Sequence, residues 1–149
     1  MRIRTTLYTI LPLALILFLE VQGASPTVVV YKDPNCGCCN LWVEHLRANG
    51  FQVTVNEVQN IGDYKLKYGV PDALRSCHTA TVNGYTIEGH VPAAEIHRLL
   101  KEHPHAKGLA VPGMPLGSPG MEGARIDNYS VLLFKADGHT SVYQEYPAH

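Results

Sequence analysis

The chain has 149 residues, with 12 Lys and Arg against 13 Asp and Glu, a formal net charge of −1 at neutral pH. No Lys/Arg run breaks that balance, which excludes the electrostatic footprint of a nucleic-acid binder. The length supports one small unit with a real core rather than two.

Met1-Arg2-Ile3-Arg4 gives a positive start, Leu7 to Phe18 is almost uninterruptedly apolar, and Val21-Gln22-Gly23 or Gln22-Gly23-Ala24 offers small residues for cleavage. These are the parts of a secretory signal peptide over residues 1–23; the apolar run is shorter than the ~20 residues a membrane anchor needs. Cleavage removes Arg2, Arg4 and Glu20 and leaves a formal charge of −2. No later stretch approaches spanning length, so the exported chain is expected to be free of the membrane.

Thr27 to Tyr31 is a β-branched apolar run suited to a buried strand, closed by the turn residues Asp33-Pro34-Asn35. Cys39, Val43 and Leu46 with Trp42 form a helical stripe that stops at Asn49-Gly50, predicting a helix from about Cys38 to Ala48 with Trp42 as its core anchor. Phe51 to Val55 alternates at period two, a second strand parallel to the first across that helix. A short helix is expected over Ile61–Tyr68, ending at Gly69. Thr79 to Val82, Asn83-Gly84 and Tyr85 to Glu88 read as a hairpin, and Pro92 opens a helix whose apolar face is Ile96, Leu99 and Leu100.

From Gly108 to Met121 proline and glycine are too dense for a helix or a central strand, so an ordered loop is expected. Val131 to Phe134, Asp137-Gly138 and Val142-Tyr143 close the chain as a hairpin. A strand-helix-strand unit followed by a hairpin and a helix is the thioredoxin-like order within an α/β class. The expected division is a thioredoxin-like domain over 24–106 and an extension over 107–149 packed on it. Such an order carries no function by itself.

Function is carried by Cys36-Gly37-Cys38-Cys39, three thiols within four residues, and by Cys77. A disulfide framework staples distant segments, and Cys38 and Cys39, being adjacent, bridge each other only under strain, so purely structural bridges would fix little chain here. Sulfurs this close suit a soft metal ion or a redox thiol site, and the start of a helix favours anionic sulfur. Cys36-x-x-Cys39 has the spacing of a dithiol catalyst, but Cys38 is a donor such a catalyst does not need. Where the thioredoxin-like order places a proline facing the motif, this chain has Ser76-Cys77-His78-Thr79.

Zinc competes for four cysteines, but its usual pattern is two separated pairs. The thioethers of Met114 and Met121 favour Cu(I), although methionine also fills gaps in cores. His78 and His90 are candidate ligands or groups that orient the sulfurs, with a helix-entry hydrogen bond as the other role open to His90. His45, His97, His103, His105, His139 and His149 are expected to be solvated, with His103-Pro104-His105 a weak metal site at most.

Several longer motifs stand in order: Tyr31-x-Asp33-Pro34-x-Cys36-Gly37-Cys38-Cys39, Ser76-Cys77-His78-Thr79-Ala80, Gly84-Tyr85, Glu88-Gly89-His90-Val91-Pro92, Gly108-Leu109-Ala110-Val111-Pro112-Gly113-Met114-Pro115 and Gly117-Ser118-Pro119-Gly120-Met121-Glu122. Together, from about Val29 to Val142, they resemble the CopG family of exported copper-resistance proteins, and none of the motif residues named is missing. The resemblance implies a thioredoxin-like domain whose C-terminal extension helps to bind copper beside the CxCC motif, in the Gram-negative periplasm. It also implies a role in copper redox handling.

On this reading Cys36, Cys38, Cys39 and Cys77 are thiolate ligands, able to bridge more than one copper ion. Met114 and Met121 close the site, and His78 and His90 complete or tune it. Mixed thiolate, thioether and imidazole donors accommodate both copper oxidation states, which makes interconversion of Cu(I) and Cu(II) an expectation. The expected partner is a periplasmic copper efflux or chaperone protein. Two other readings stay open: a thiol-disulfide oxidoreductase using Cys36 and Cys39, and a passive copper carrier.

Overall fold

The computed structural model describes residues 23–148. The expected signal peptide, apart from Gly23, lies outside the described residues. Among them, no helix is long and apolar enough to cross a membrane.

The first strand, β1 (Thr27–Lys32), turns Val28, Val30 and Lys32 to one buried face. Helix α1 (Gly37–Ala48) covers it with Cys39, Trp42, Val43 and Leu46, spaced as one helical stripe. Gly50, at φ +88°, reverses the chain where a side chain would be strained, and β2 (Gln52–Glu57) runs parallel to β1 with Thr27 opposite Gln52. Helix α2 (Ile61–Lys67), capped by the Asn60 side chain accepting from the Gly62 N–H, packs on the sheet and leads through a short 3-10 turn (Asp72–Leu74).

Strand β3 (His78–Val82) is antiparallel to β1, setting His78 opposite Lys32, and turns at Asn83-Gly84 into β4 (Tyr85–Glu88). Both turn residues have positive φ, 45° and 85°, the geometry for which Asn-Gly is favoured in a two-residue hairpin. Helix α3 (Ala93–Glu102) then crosses to β5 (Gly108–Ala110), parallel to β4, and the hairpin β6 (Tyr129–Phe134) and β7 (Thr140–Tyr146) continues the same sheet. Among the described residues the result is a mixed α/β fold of three α-helices and one seven-stranded sheet in the order β2-β1-β3-β4-β5-β6-β7. Trp42, Leu46, Ile87, Ile96, Leu99 and Leu109 are fully buried in one core. Each such side chain contributes about 1.5–3 kcal/mol by leaving water.

The elements differ from expectation in two places. Gly108 to Ala110 is a strand rather than the start of a loop, and the reason is steric: a Cβ on Gly108 would lie 1.7 Å from the Thr86 carbonyl oxygen. His45 is half-buried rather than solvated, its Nε2 accepting from the Ala93 N–H at the start of α3. His97, although exposed, is held too, stacking on Phe51 at 4.2 Å while its Nε2 donates to the Asn49 carbonyl. The terminal hairpin is fastened to α3 by Arg98, which lies 3.8 Å over the Tyr143 ring and donates to the Tyr143 carbonyl.

Candidate metal centre

Three segments meet at the start of α1. The cysteine triplet comes from the β1–α1 junction, where Cys36 is the N-cap residue and no acidic side chain occupies the first helical turn. No carboxylate from that turn competes for the positive end of the helix, which favours anionic sulfur nearby. Cys77 precedes β3, and the sulfurs of Cys36, Cys38, Cys39 and Cys77 all lie within 4.8 Å of one another. Cys36 and Cys39 are joined as a disulfide, Cys38 and Cys77 are free, and Cys38 Sγ is 3.5 Å from Cys36 Sγ.

Cys77 belongs to a second group as well, with His78 and His90. Its Sγ is 3.0 Å from His90 Nε2 and 3.3 Å from His78 Nδ1. The His90 Nδ1 lies 2.7 Å from the Pro119 carbonyl oxygen, which can only accept, so Nδ1 carries the proton and donates. Nε2 is then left with its lone pair toward the Cys77 sulfur, the tautomer a metal ligand requires. His78 is fully buried, stacked on Trp42 at 4.2 Å, and its Nε2 has no hydrogen-bond partner among the described residues. Trp42 is the core anchor the sequence predicts; it also fixes a candidate ligand, with its Nε1 donating to the Val91 carbonyl at 2.9 Å.

Behind Cys77 stands a buried polar network. The Lys65 ammonium is 2.6 Å from the Glu88 carboxylate and 3.2 Å from Thr79 Oγ1, which donates to the other Glu88 oxygen at 2.7 Å. Glu88 also accepts from the Ser76 N–H at 2.6 Å, so the residue before Cys77 is fixed by a charge-assisted bond.

The Pro/Gly-rich loop is ordered, as expected, and crosses the site. Ser76 Oγ donates to the Gly113 carbonyl, and the Gly113 N–H donates to the Arg75 carbonyl at 3.2 Å, placing Met114 one residue from this anchor. Farther along, Gly120 sits against α1 at φ +87°: a Cβ there would lie 2.7 Å from the Cys38 carbonyl, 2.8 Å from the Trp42 nitrogen and 3.3 Å from His90 Nδ1. Only glycine allows that approach, and it brings Pro119 to His90 and Met121 beside them. Met114 is 52% exposed, which argues against a core-filling role, whereas Met121 is half-buried. The structure thus gathers the four cysteines, His78 and His90; the two methionines are positioned through the loop backbone. Glu88, Lys65, Pro119 and Gly120 were not foreseen as supports of the site.

Burial sets the protonation of these groups in the metal-free state. It pushes the Cys77 thiol up to about 12, helped by the nearby Cys38 sulfur and partly opposed by the Ser76 hydroxyl. It holds His78 well below the usual imidazole range, with His90 and Lys65 adding to the effect, and lowers His90 despite its bond to Pro119. Both imidazoles are therefore neutral near pH 7, the ligand form, and a metal must displace the Cys77 proton.

A pH dependence of stability follows. His45, His78 and His90 all have lowered values in the folded chain, so as pH falls below the ordinary 6.5 the unfolded chain takes up protons first. Their contribution is complete above about 6.5 and declines below it, by about 1.4 kcal/mol per pH unit for each proton taken up. Cys77 is raised, so its contribution is complete below 9.0 and declines above it. Thermal unfolding of the reduced, metal-free protein should give a Tm plateau between those limits; a Tm that rises as pH falls from 7 to 5 would contradict the assignment.

The family model described as a protein of unknown function, DUF411, matches residues 74–121, the stretch that carries Cys77, both histidines and both methionines of the site. No curated protein matches the chain. Two solved structures do, both of copper resistance protein CopG. Form 2 is 48% identical, covering 83% of this chain and 99% of that one with a TM-score of 0.79. Form 1 is also 48% identical, covering 81% and 97% with a TM-score of 0.77. Identity at that level over almost the whole of those chains, with the CxCC cluster and its supporting loop in place, shows that this chain belongs to the CopG family of copper resistance proteins.

Proposed function

We propose that this is an exported copper-binding protein of copper resistance, holding copper at the junction of the CxCC triplet, Cys77 and the Pro/Gly-rich loop. The observation that carries the reading is the convergence within 4.8 Å of four sulfurs drawn from two separate segments, with two neutral imidazoles grouped around one of those sulfurs, that of Cys77. Soft sulfur selects Cu(I), and imidazole nitrogen accommodates Cu(II). Cys36, Cys38, Cys39 and Cys77 serve as thiolates able to bridge more than one ion, His78 and His90 complete the set, and Met114 and Met121 supply thioether. The mixed donors suit interconversion of Cu(I) and Cu(II), and His78 brings its Nδ1 to 3.3 Å from the Cys77 sulfur.

Around this site we assign residues 1–23 to a signal peptide, 24–106 to a thioredoxin-like domain and 107–149 to an extension that contributes to metal binding. The parallel β1-α1-β2 unit, the β3-β4 hairpin and α3 follow that order. The protein then works in the periplasm and hands copper to an efflux or chaperone protein. The Cys36–Cys39 disulfide favours a second reading, a thiol-disulfide oxidoreductase that needs no metal.

Metal analysis of the anaerobically purified, reduced protein separates the two. Copper is expected to bind, and Cys38→Ser and Met114→Leu each to lower its retention, the methionine change by roughly tenfold in affinity. Bound zinc, or copper retention untouched by both changes, would reject the ligand set.

A further inference from the structure

Two lysines are buried beside the site, and the fold compensates only one of them. The Lys65 ammonium is 2.6 Å from the Glu88 carboxylate, and both side chains are buried. Lys32 is fully buried too, yet among the described residues its ammonium has two partners, the Asp33 carbonyl, which accepts at 2.9 Å, and the Glu57 carboxylate at 3.4 Å. That carboxylate is 57% exposed, so water screens it, and the contact is longer than a strong charge-assisted hydrogen bond. The nearer acid is turned elsewhere: Asp33 Oδ1 accepts from the Asn35 N–H at 2.8 Å. A buried ammonium held so loosely is costly unless negative charge stands beside it. Its position says where that charge arises. Lys32 is opposite His78 in the β1–β3 ladder, and directly opposed residues share a face of the sheet. It is the face whose Val28 and Val30 share a core with Trp42 and Leu46 of α1, and only Asp33, Pro34 and Asn35 separate Lys32 from Cys36. One acceptor joins the two residues: the Asp33 carbonyl takes the Cys36 N–H at 3.1 Å as well as the ammonium. The charge already reaches the site, since His78 is held below the usual imidazole range by burial first, then by His90 and Lys65, and also by Lys32.

We propose that the Lys32 ammonium is the built-in counter-charge of the copper-loaded site, a positioning residue that acts through the thiolate ligands and tightens binding of the first Cu(I) ion. The inference rests on the copper reading above and adds the positive charge that its ligand set calls for. Four thiolates outweigh up to three Cu(I) ions, so a partly loaded site is anionic. A fixed cation in a surrounding of low dielectric stabilises such a site, and it does so without rearrangement because the Asp33 carbonyl already holds the side chain. Without copper the same cation has, among the described residues, only the screened Glu57 carboxylate for a counter-charge, and there it is a cost. The loaded and metal-free states therefore respond to Lys32 in opposite directions. A side chain that served packing alone would support both.

Two substitutions test this. Affinity for one equivalent of Cu(I) is measured on the reduced protein under argon by competition with a Cu(I) chelator, and Tm is measured on the same protein without metal. Lys32→Leu, which brings in no sulfur, should weaken the first Cu(I) by roughly 10–100-fold, the range for an outer partner of a metal site, and leave the metal-free Tm unchanged or higher. Glu57→Gln, at an exposed position, should do the reverse: with the counter-charge gone, the first Cu(I) binds more tightly and the metal-free Tm falls. Should Lys32→Leu fail to fold, Glu57→Gln decides alone, because an exposed side chain that serves structure only would not tighten copper binding when removed. Affinity unchanged in Lys32→Leu, affinity and Tm that fall together there, or Glu57→Gln binding no more tightly than the parent overturns the counter-charge and leaves the copper site standing. Failure of the reduced parent protein to bind Cu(I) overturns both.

Discussion

Cys77→Ser is expected to weaken Cu(I) binding more than any other single ligand change, by more than the roughly 10–100-fold that loss of an outer partner costs a metal site. The reason is position. Cys77 is the one residue common to the four-sulfur group and the group with His78 and His90, so its loss breaks both. A hydroxyl in its place is a hard, neutral donor, poorly matched to Cu(I). The native thiol is pushed up to about 12 in the metal-free state, so copper binding must release that proton and should tighten as pH rises. The variant loses that part of the pH dependence. Competition titration with a Cu(I) chelator at pH 6 and pH 8 measures both effects, and an affinity within threefold of the parent would contradict the shared-ligand assignment.

The largest effect on stability should come from Glu88→Ala. It leaves the Lys65 ammonium buried without its counter-charge, strips Thr79 Oγ1 of its acceptor and leaves the Ser76 N–H unbonded. Breaking a buried pair from one side costs about 3–5 kcal/mol, a large part of the 5–15 kcal/mol typical of a domain. The cost reflects the orphaned charge more than any great attraction in the pair. Removing both partners, as in Lys65→Met with Glu88→Leu, should therefore recover most of the loss. Urea unfolding of the three variants measures this. A Glu88→Ala change of less than about 1 kcal/mol would mean that water reaches Lys65 freely.

What the sequence disclosed and what it withheld have physical causes. The β1-α1-β2 unit was legible because a β-branched apolar run over Thr27 to Tyr31, a helical stripe from Cys39 to Leu46 and a period-two alternation over Phe51 to Val55 follow one another, and the β3-β4 turn because Asn83-Gly84 fits few other conformations. Strand β5 was hidden: its pairing depends on the missing side chain of Gly108 beside Thr86, and its neighbours Pro112 and Gly113 read as loop. The cysteine cluster was legible because three of its members are almost contiguous. The state of those cysteines was not, since spacing permits the Cys36–Cys39 bridge without requiring it.

Groups that act across the fold left little local trace. Lys65 and Glu88 have the composition of surface charges, and only the packing of α2 on the sheet brings them together. His45 lies 48 residues before the Ala93 N–H it accepts from. Pro119 and Gly120 read as turn residues, and turns they are, yet Gly120 owes its identity to the backbone of α1 and Pro119 orients His90 through its carbonyl. The Pro-Gly density that predicts an ordered loop marks these positions without saying what they face.

The most direct test of the central claim is a crystal of the reduced protein loaded with Cu(I), measured on both sides of the copper absorption edge. Anomalous peaks are expected among the sulfurs of Cys36, Cys38, Cys39 and Cys77, within bonding distance of Cys77 and at least one of His78 and His90. Copper found only at His103 and His105, or a Cys77 sulfur turned away from every peak, would contradict the account.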